Sequence, residues 1–350
     1  MALTRITSPH THRAFSTGQM MRTVIMATLP GLAVLTYFFG IGSLHNVLLA
    51  SAASMGFEAA IMALRGRPVM FYLRDCSALV TGVLLGLALP PYCPWWLVVL
   101  GAFCAIVLAK QLYGGMGFNP FNPAMVAYVI LLISFPLHMS QWAAPANIGG
   151  HTPGLIEALG QIWTGSSIDG YTAATPLDTV KQNSSQLLEM VYQQDPVLAA
   201  GQLAGAGWEW VNLAFLAGGA YLLYRRIFTW HAPISMLAAL ALMALIFYDG
   251  GSSNSGGSVL FHLLSGATML GAFFIVTDPV SSTVSNRGRM IYGASIGVLI
   301  YVIRTWGNYP DAIAFAVLLM NFAAPFIDYY TLPRTYGHKK SQRATKKADL

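Results

Sequence analysis

The chain has 350 residues, of which 55% are hydrophobic and only 9% are charged, against about a quarter charged in a soluble domain. That composition excludes an ordinary soluble enzyme and points to an integral membrane protein. The net charge of +6 is spread in short basic clusters between apolar runs, a topology signal rather than a nucleic-acid interface, so no nucleic-acid role is expected.

Residues 1–22 form a polar, basic N-terminal segment. It is too long before the first apolar run for a cleavable signal peptide, so that run should remain as an anchor. Five apolar runs follow at 23–40, 44–64, 77–92, 95–112 and 121–138. A polar stretch occupies 139–208, and five more runs lie at 210–228, 232–248, 258–277, 290–306 and 311–331. Residues 332–350 make a basic tail suited to solvent or to anionic lipid. The three cysteines, Cys76, Cys93 and Cys104, match no metal-binding spacing, so no metal site is expected.

Ten crossings of roughly 17–25 residues each would put both termini on one side. With the N-terminus inside, seventeen of the 19 lysines and arginines fall on the cytoplasmic side, and only Lys181 and Arg304 fall outside. The positive-inside rule therefore orients the chain with both termini cytoplasmic and residues 139–208 periplasmic. The organisation that follows is an all-α integral membrane protein with transmembrane halves at 23–138 and 209–331. Five runs per half suggest two inverted five-helix repeats. "TGVLLGLALPP" in run three and "GATMLGAFFIVTDP" in run eight echo one another, which would make these the short or broken helices near the pseudo-axis.

Within the outer loop, "IDGYTAATPLDTV" contains a threonine, Thr175, followed by Pro176 and, three residues on, Asp178. As a structural element this predicts an N-cap with proline at the first helical position. As a functional element it presents an accessible hydroxyl among small residues, at a helix start suited to an attached phosphate. The two readings are compatible. A second stretch, "SGAT" at 265–268, places Thr268 inside run eight, where small residues serve close helix packing or line a pocket.

"DGYTAATPL" resembles the flavinylation motif of the NqrB/RnfD family, membrane proteins of Rnf electron-transport complexes and of the sodium-pumping quinone reductase. The family's usual form is Asp-Gly-x-Ser-Gly-Ala-Thr. This sequence keeps Asp169, Gly170, Ala174 and Thr175 and carries Thr172 and Ala173 where Ser and Gly are usual. "GGMGFNPFNPAM" at 114–125 and "GAFFIVTDPVSS" at 271–282 resemble two further segments of the same family. The proline after Thr175 and the short total length are more similar to the Rnf members than to those of the quinone reductase.

The resemblance implies covalent FMN on Thr175 through a phosphoester, attached by a separate flavin transferase. It also implies a noncovalent riboflavin and a six-subunit, inner-membrane complex. That complex passes electrons between ferredoxin and NAD, coupled to Na+ or H+ movement. The chain would be part of a translocase without being catalytic alone. For the riboflavin or an ion path the candidates are Asn119, Asn122, Thr268, Asp278 and Glu58. Glu58 lies inside run two, where a carboxylate either joins an ion path or pairs with a neighbouring helix. The rival expectation is a small-solute transporter or channel with no redox role, or a scaffold in which Thr175 is only a cap. His45 and His262 are expected to pack or bond to neighbours, and Trp95, Trp96, Trp208, Trp210 and Trp306 to anchor helix ends at the membrane interfaces.

Overall fold

A computed structural model describes residues 16–148, 153–166, 170–252 and 255–332. Among these the chain is helical, with no strand and one isolated β-bridge, Ala143 to Thr172. The first half comprises α1 (Thr17–Phe39), α2 (Gly42–Leu64), the short α3 (Val69–Leu73), α4 (Ser77–Ala88), α5 (Trp95–Phe103) and α6 (Pro123–Ser134). Short helices follow: α7 (Pro136–Ser140), α8 (Leu155–Thr164), α9 (Pro176–Gln182), α10 (Leu188–Gln194) and α11 (Pro196–Ala199). The second half comprises α12 (Trp208–Tyr224), α13 (His231–Ile246), α14 (Val259–Leu264), α15 (Thr268–Leu270), α16 (Asn286–Trp306) and α17 (Ile313–Thr331).

Helix therefore falls on each of the ten apolar runs, though among the described residues three helices alone, α1, α2 and α17, are long and apolar enough to cross a membrane by length and composition. α16 is long enough at 21 residues but too polar, carrying Arg287, Arg289 and Arg304; the others are shorter or interrupted, and the interruptions have local causes. Pro90 and Pro91 follow the end of α4. After Phe103, α5 widens into a π-helix at Cys104–Gln111, and α15 does the same at Gly271–Ile275. Both segments close on i→i−5 bonds, from the Leu112 N–H to the Val107 carbonyl and from the Val276 N–H to the Gly271 carbonyl, at 2.9 Å each. Run eight is not continuous: it breaks between α14 and α15 at Ser265–Gly266–Ala267.

The helices pack as pairs: α1 on α12, α2 on α4 and α5, α13 on α14 and α16, α6 on α17. Glycines set the closest approaches, as small residues do where lipid removes the hydrophobic drive between helices. Gly82 and Gly86 on α4 face α2, and a Cβ on Gly86 would lie 2.5 Å from the Val47 Cα. Gly293 and Gly297 on α16 face α13, where a Cβ on Gly297 would lie 2.3 Å from the Met236 carbonyl oxygen. Each pair is spaced G-x-x-x-G.

Backbone groups freed by the break in run eight are met by side chains. The Asn212 amide nitrogen on α12 donates to the carbonyls of Leu264 at 2.8 Å and Gly266 at 2.9 Å, and its oxygen accepts from the Met269 N–H at 3.0 Å. Asp311 accepts from the Ala267 N–H at 3.0 Å. Arg304 on α16, buried, donates to the His262 carbonyl at 2.9 Å and reaches Asp311 at 3.3 Å.

Two outcomes follow for stability. Gly86→Leu should force α4 off α2 and lower the midpoint of thermal inactivation in detergent, with less folded protein recovered by size-exclusion chromatography. Asn212→Leu keeps the side-chain volume but strands three backbone groups, at about 1–3 kcal/mol for each left unsatisfied. The same melt should then show a loss larger than for Asn183→Leu, where the amide bonds only its own helix at the end of α9.

Candidate functional site

Thr175 is the N-cap of α9, with φ −73° and ψ 154°, and Pro176 takes the first helical position. Its hydroxyl accepts from the Asp178 N–H at 3.3 Å and donates to the Asp178 carboxylate at 2.7 Å. In a full capping box the acid would reach back to the cap's own N–H. Here the shorter aspartate takes the hydroxyl proton instead. Thr175 is half-buried, while Ala174 and Thr172 beside it are exposed.

The chain leading into Thr175 is held on both sides. Gly170 turns with φ +72°, a left-handed conformation that favours glycine. The backbone then pairs with 142–144: the Ala144 N–H donates to the Tyr171 carbonyl at 2.8 Å and the Ala173 N–H to the Trp142 carbonyl at 3.0 Å. Tyr171 is buried edge-on against Tyr92 and accepts from the Gln161 amide. Asp169 lies outside the described residues.

Beyond the cap, Leu177 sits on the broken segment of run eight, and a Cβ on Gly266 would come within 2.8 Å of its Cδ1. Lys181 donates to the carbonyls of Tyr309 at 2.8 Å and Ile303 at 3.3 Å. Burial pushes its ammonium below the usual lysine range, and Asp178 partly offsets that. Lys181 and Arg304, the two basic residues that the positive-inside count sets apart, are thus both held by partners at this end of the bundle.

Thr175 and Asp178 stand on the wall of a cavity of about 510 Å3. Its other walls carry Trp142, Trp208, Tyr128, Tyr309, Leu177, Leu270 and the Gly266–Ala267 turn. Trp142 and Trp208 meet with ring centres 5.0 Å apart, and Phe39 backs Trp208 at 4.9 Å. Trp208 is buried rather than an interface anchor, because it closes this cavity. Volume and aromatic lining suit a flat tricyclic ring, and a hydroxyl on the wall supplies a point of attachment.

A second cavity, about 320 Å3, lies at the opposite end. Asn119, Asn122 and Asp278 all line it, with Lys110, Arg226 and Arg289. The Asn122 amide approaches Asp278 at 3.4 Å while its oxygen caps α6 through the Ala124 N–H at 3.1 Å and the Met125 N–H at 3.3 Å. The Asn119 amide donates to the Phe121 carbonyl at 3.0 Å. The Asn321 amide, oriented to satisfy both its ends, accepts from the Asn122 N–H at 3.0 Å and donates to the Ser281 carbonyl at 3.2 Å. The loops at 114–125 and 276–282, far apart in sequence, therefore meet in one place.

Glu58 and Thr268 line neither cavity. Glu58 is a buried ion pair: Lys110 Nζ lies 2.8 and 2.9 Å from its oxygens, and Gln111 donates at 2.9 Å. Lys110 also donates to Ser77 at 2.7 Å. Lys110, counted from sequence as an exposed basic topology signal, is almost wholly buried. Thr268 shares its hydroxyl proton between the carbonyls of His262 at 3.0 Å and Ser265 at 2.9 Å, and accepts from Arg304 at 2.9 Å. It is a lock on the break. Sequence reasoning passed over Lys110, Trp142, Asn212 and Asp311, none of which carries a local signal. Among the described residues no cluster of metal-ligating side chains occurs, and the three cysteines are free.

The chain matches the NQR2, RnfD, RnfE family over residues 4–337. It is 67% identical to the D subunit of the ion-translocating oxidoreductase complex of Cellvibrio japonicus, over 99% of this chain and 98% of that one. The D subunit of the same complex from Ectopseudomonas mendocina is 58% identical over 97% of each chain. That of Pseudomonas aeruginosa (strain UCBPP-PA14) is 55% identical over 100% of each. A buried, apolar-helical bundle with an aromatic cavity at the Thr175 motif, joined to similarity of this extent, makes the chain a membrane protein of the NQR2, RnfD, RnfE family.

Proposed function

We propose that this chain serves as the D subunit of an Rnf-type ion-translocating oxidoreductase complex and relays electrons across the bacterial inner membrane. The observation that carries the reading is the Thr175 hydroxyl, presented on the wall of an aromatic cavity of about 510 Å3 inside the "DGYTAATPL" segment. The names of the relatives supply the complex.

In this reading Thr175 carries FMN through a phosphoester, and the flavin supplies reversible electron transfer there. Trp142, Trp208 and Tyr128 exclude water and offer aromatic faces for the ring. Asp178 holds the Thr175 hydroxyl by its proton before attachment. The opposite cavity, with Asn119, Asn122 and Asp278, takes a noncovalent riboflavin, its amides and carboxylate offering hydrogen-bond partners to a polar ring edge. Sodium or proton movement is coupled to the electron path. A six-subunit assembly surrounds the chain, and a separate transferase matures it.

The topology belongs to the same proposal. Ten crossings place both termini in the cytoplasm and residues 139–208 in the periplasm, supported by the distribution of basic residues. Two inverted five-helix repeats are supported by the pairing of helices. Replacing each helix-bearing run by its counterpart five runs later carries α2 on α4 into α13 on α14 and α2 on α5 into α13 on α16. It leaves α1 on α12 and α6 on α17 unchanged.

In-gel flavin fluorescence of the denatured protein, from cells containing the transferase, tests the covalent site. Wild type and Thr268→Val should fluoresce and Thr175→Val should not. Loss in Thr268→Val alone, with that variant shown folded by size-exclusion chromatography, would overturn both site and topology, and a dark wild type would favour a transporter or scaffold. A time course of attachment tests Asp178. An asparagine amide is a far weaker proton acceptor than a carboxylate, and a positioned base is worth about 10²–10⁴-fold, so Asp178→Asn should slow flavin attachment by about tenfold or more while its final extent stays near wild type.

A further inference from the structure

Helix α8, "LIEALGQIWT", belongs to neither cavity. At about 100° per residue its side chains sort into three arcs. Ala158 and Ile162 form one edge and are buried against the body. Next to them Leu155, Ile156, Leu159 and Trp163 share one arc and are 56%, 85%, 38% and 51% exposed. Glu157, Gly160, Gln161 and Thr164 take the remaining arc.

The height of this helix is fixed by two contacts. Trp163 Nε1 donates to His45 Nε2 at 3.2 Å. His45 sits three residues inside the start of α2 at Gly42, hence about 4.5 Å along its axis. The Trp163 ring stacks on Trp95, with centres 5.6 Å apart and planes 15° off parallel, and Trp95 is the first residue of α5. The last turn of α8 therefore lies level with the first turn of two bundle helices. On α2, Leu48, one turn beyond His45, is 62% exposed.

We propose that α8 lies in the plane of the bilayer surface on the Thr175 side, with Leu155, Ile156, Leu159 and Trp163 seated in lipid. A soluble protein would not leave such an arc uncovered. An in-plane helix with one apolar and one polar side is the form that suits the boundary between headgroups and acyl chains. The helix has no lysine or arginine, so the contact is apolar burial rather than attraction to anionic headgroups. Its polar side is tied to the motif: Gln161 donates to the Tyr171 hydroxyl. The lipid surface thereby sets the height at which the segment before Thr175 is held. This rests on the chain being a membrane protein and is independent of whether Thr175 carries a flavin.

Photocrosslinking in the assembled complex, in native membranes, tests it. p-Benzoylphenylalanine is placed at Ile156, at Leu48 as a lipid-facing reference and at Thr164 on the polar arc, with Leu155 as a second probe should the Ile156 variant fail to accumulate. The expected result is adducts of phospholipid mass at Ile156 in yield comparable with Leu48, and their loss at Thr164. A shift on immunoblots by the mass of a polypeptide at Ile156 would identify another protein of the complex as the cover and overturn the proposal. Absence of any adduct at Ile156 and Leu155, with Leu48 labelled, would overturn it too, since that face would then lie in water.

Discussion

A helix broken inside a packed apolar bundle must satisfy the backbone groups it frees, because no solvent is there to do so. The Thr175 end of this protein is organised around that requirement. Asn212, Asp311 and Arg304, from three different elements, converge on the turn between α14 and α15. The turn itself needs Gly266, whose φ is +59° and whose missing Cβ leaves room for Leu177. That contact seats α9 on the bundle, and Lys181 pins its far end to the carbonyls at 303 and 309. The loop that carries Thr175 is thus a lid resting on the break rather than a free excursion. Its cavity exists because the lid and the broken helix do not close completely.

The two cavities sit at opposite ends yet share walls. α6 contributes Ala124 to one and Tyr128 to the other, α4 contributes Leu84 and Leu87, and α12 contributes Leu222 and Phe215. The segment around α15 contributes Phe273 to one and Leu270 to the other. These helices, together with α1 through Val24 and Leu35, therefore connect the two cavities directly, packed at interior density. The buried Glu58–Lys110 pair stands beside the cavity at the Asn122 end, with Lys110 on its wall and Glu58 behind. Removing either partner would leave a buried charge uncompensated, which typically costs about 3–5 kcal/mol. The pair is a structural clamp between α2 and the π-helical end of α5 in this state.

Much of the fold could be read from the sequence because its signals are local. Hydropathy marks the ten runs, and Thr-Pro-x-Asp marks the cap of α9. The meeting of the 114–125 and 276–282 loops is foreshadowed only by a family resemblance, since nothing in their letters says that Asn122 faces Asp278. Lys110 could not be read at all. A charge near the end of an apolar run counts as a topology signal wherever it points, and its partner is 52 residues away. Trp208 misleads for the same reason: an aromatic at a helix start looks like an interface anchor unless Phe39 and Trp142 are known to pack around it. The G-x-x-x-G pairs at 82–86 and 293–297 are present in the letters, and the spacing alone marks them as packing faces.

The choice between Thr175 and Thr268 shows what separates a motif from a site. Letter by letter, "SGAT" is the better match to the family's flavin-bearing core. A hydroxyl can form an ester only if its oxygen is reachable and its proton can leave. Thr268 is fully buried, its proton is shared between two carbonyls and its oxygen is taken by Arg304. Freeing it would unravel the turn that the Thr175 end depends on. Thr175 has one proton acceptor, a carboxylate, and stands half-buried on a cavity wall just after the exposed Ala174. Replacing its proton by a phosphoryl group costs one hydrogen bond and leaves the Pro176 turn, the Leu177 contact and the Lys181 tether in place. The two threonines share letters, but the break in run eight consumes one hydroxyl and leaves the other available.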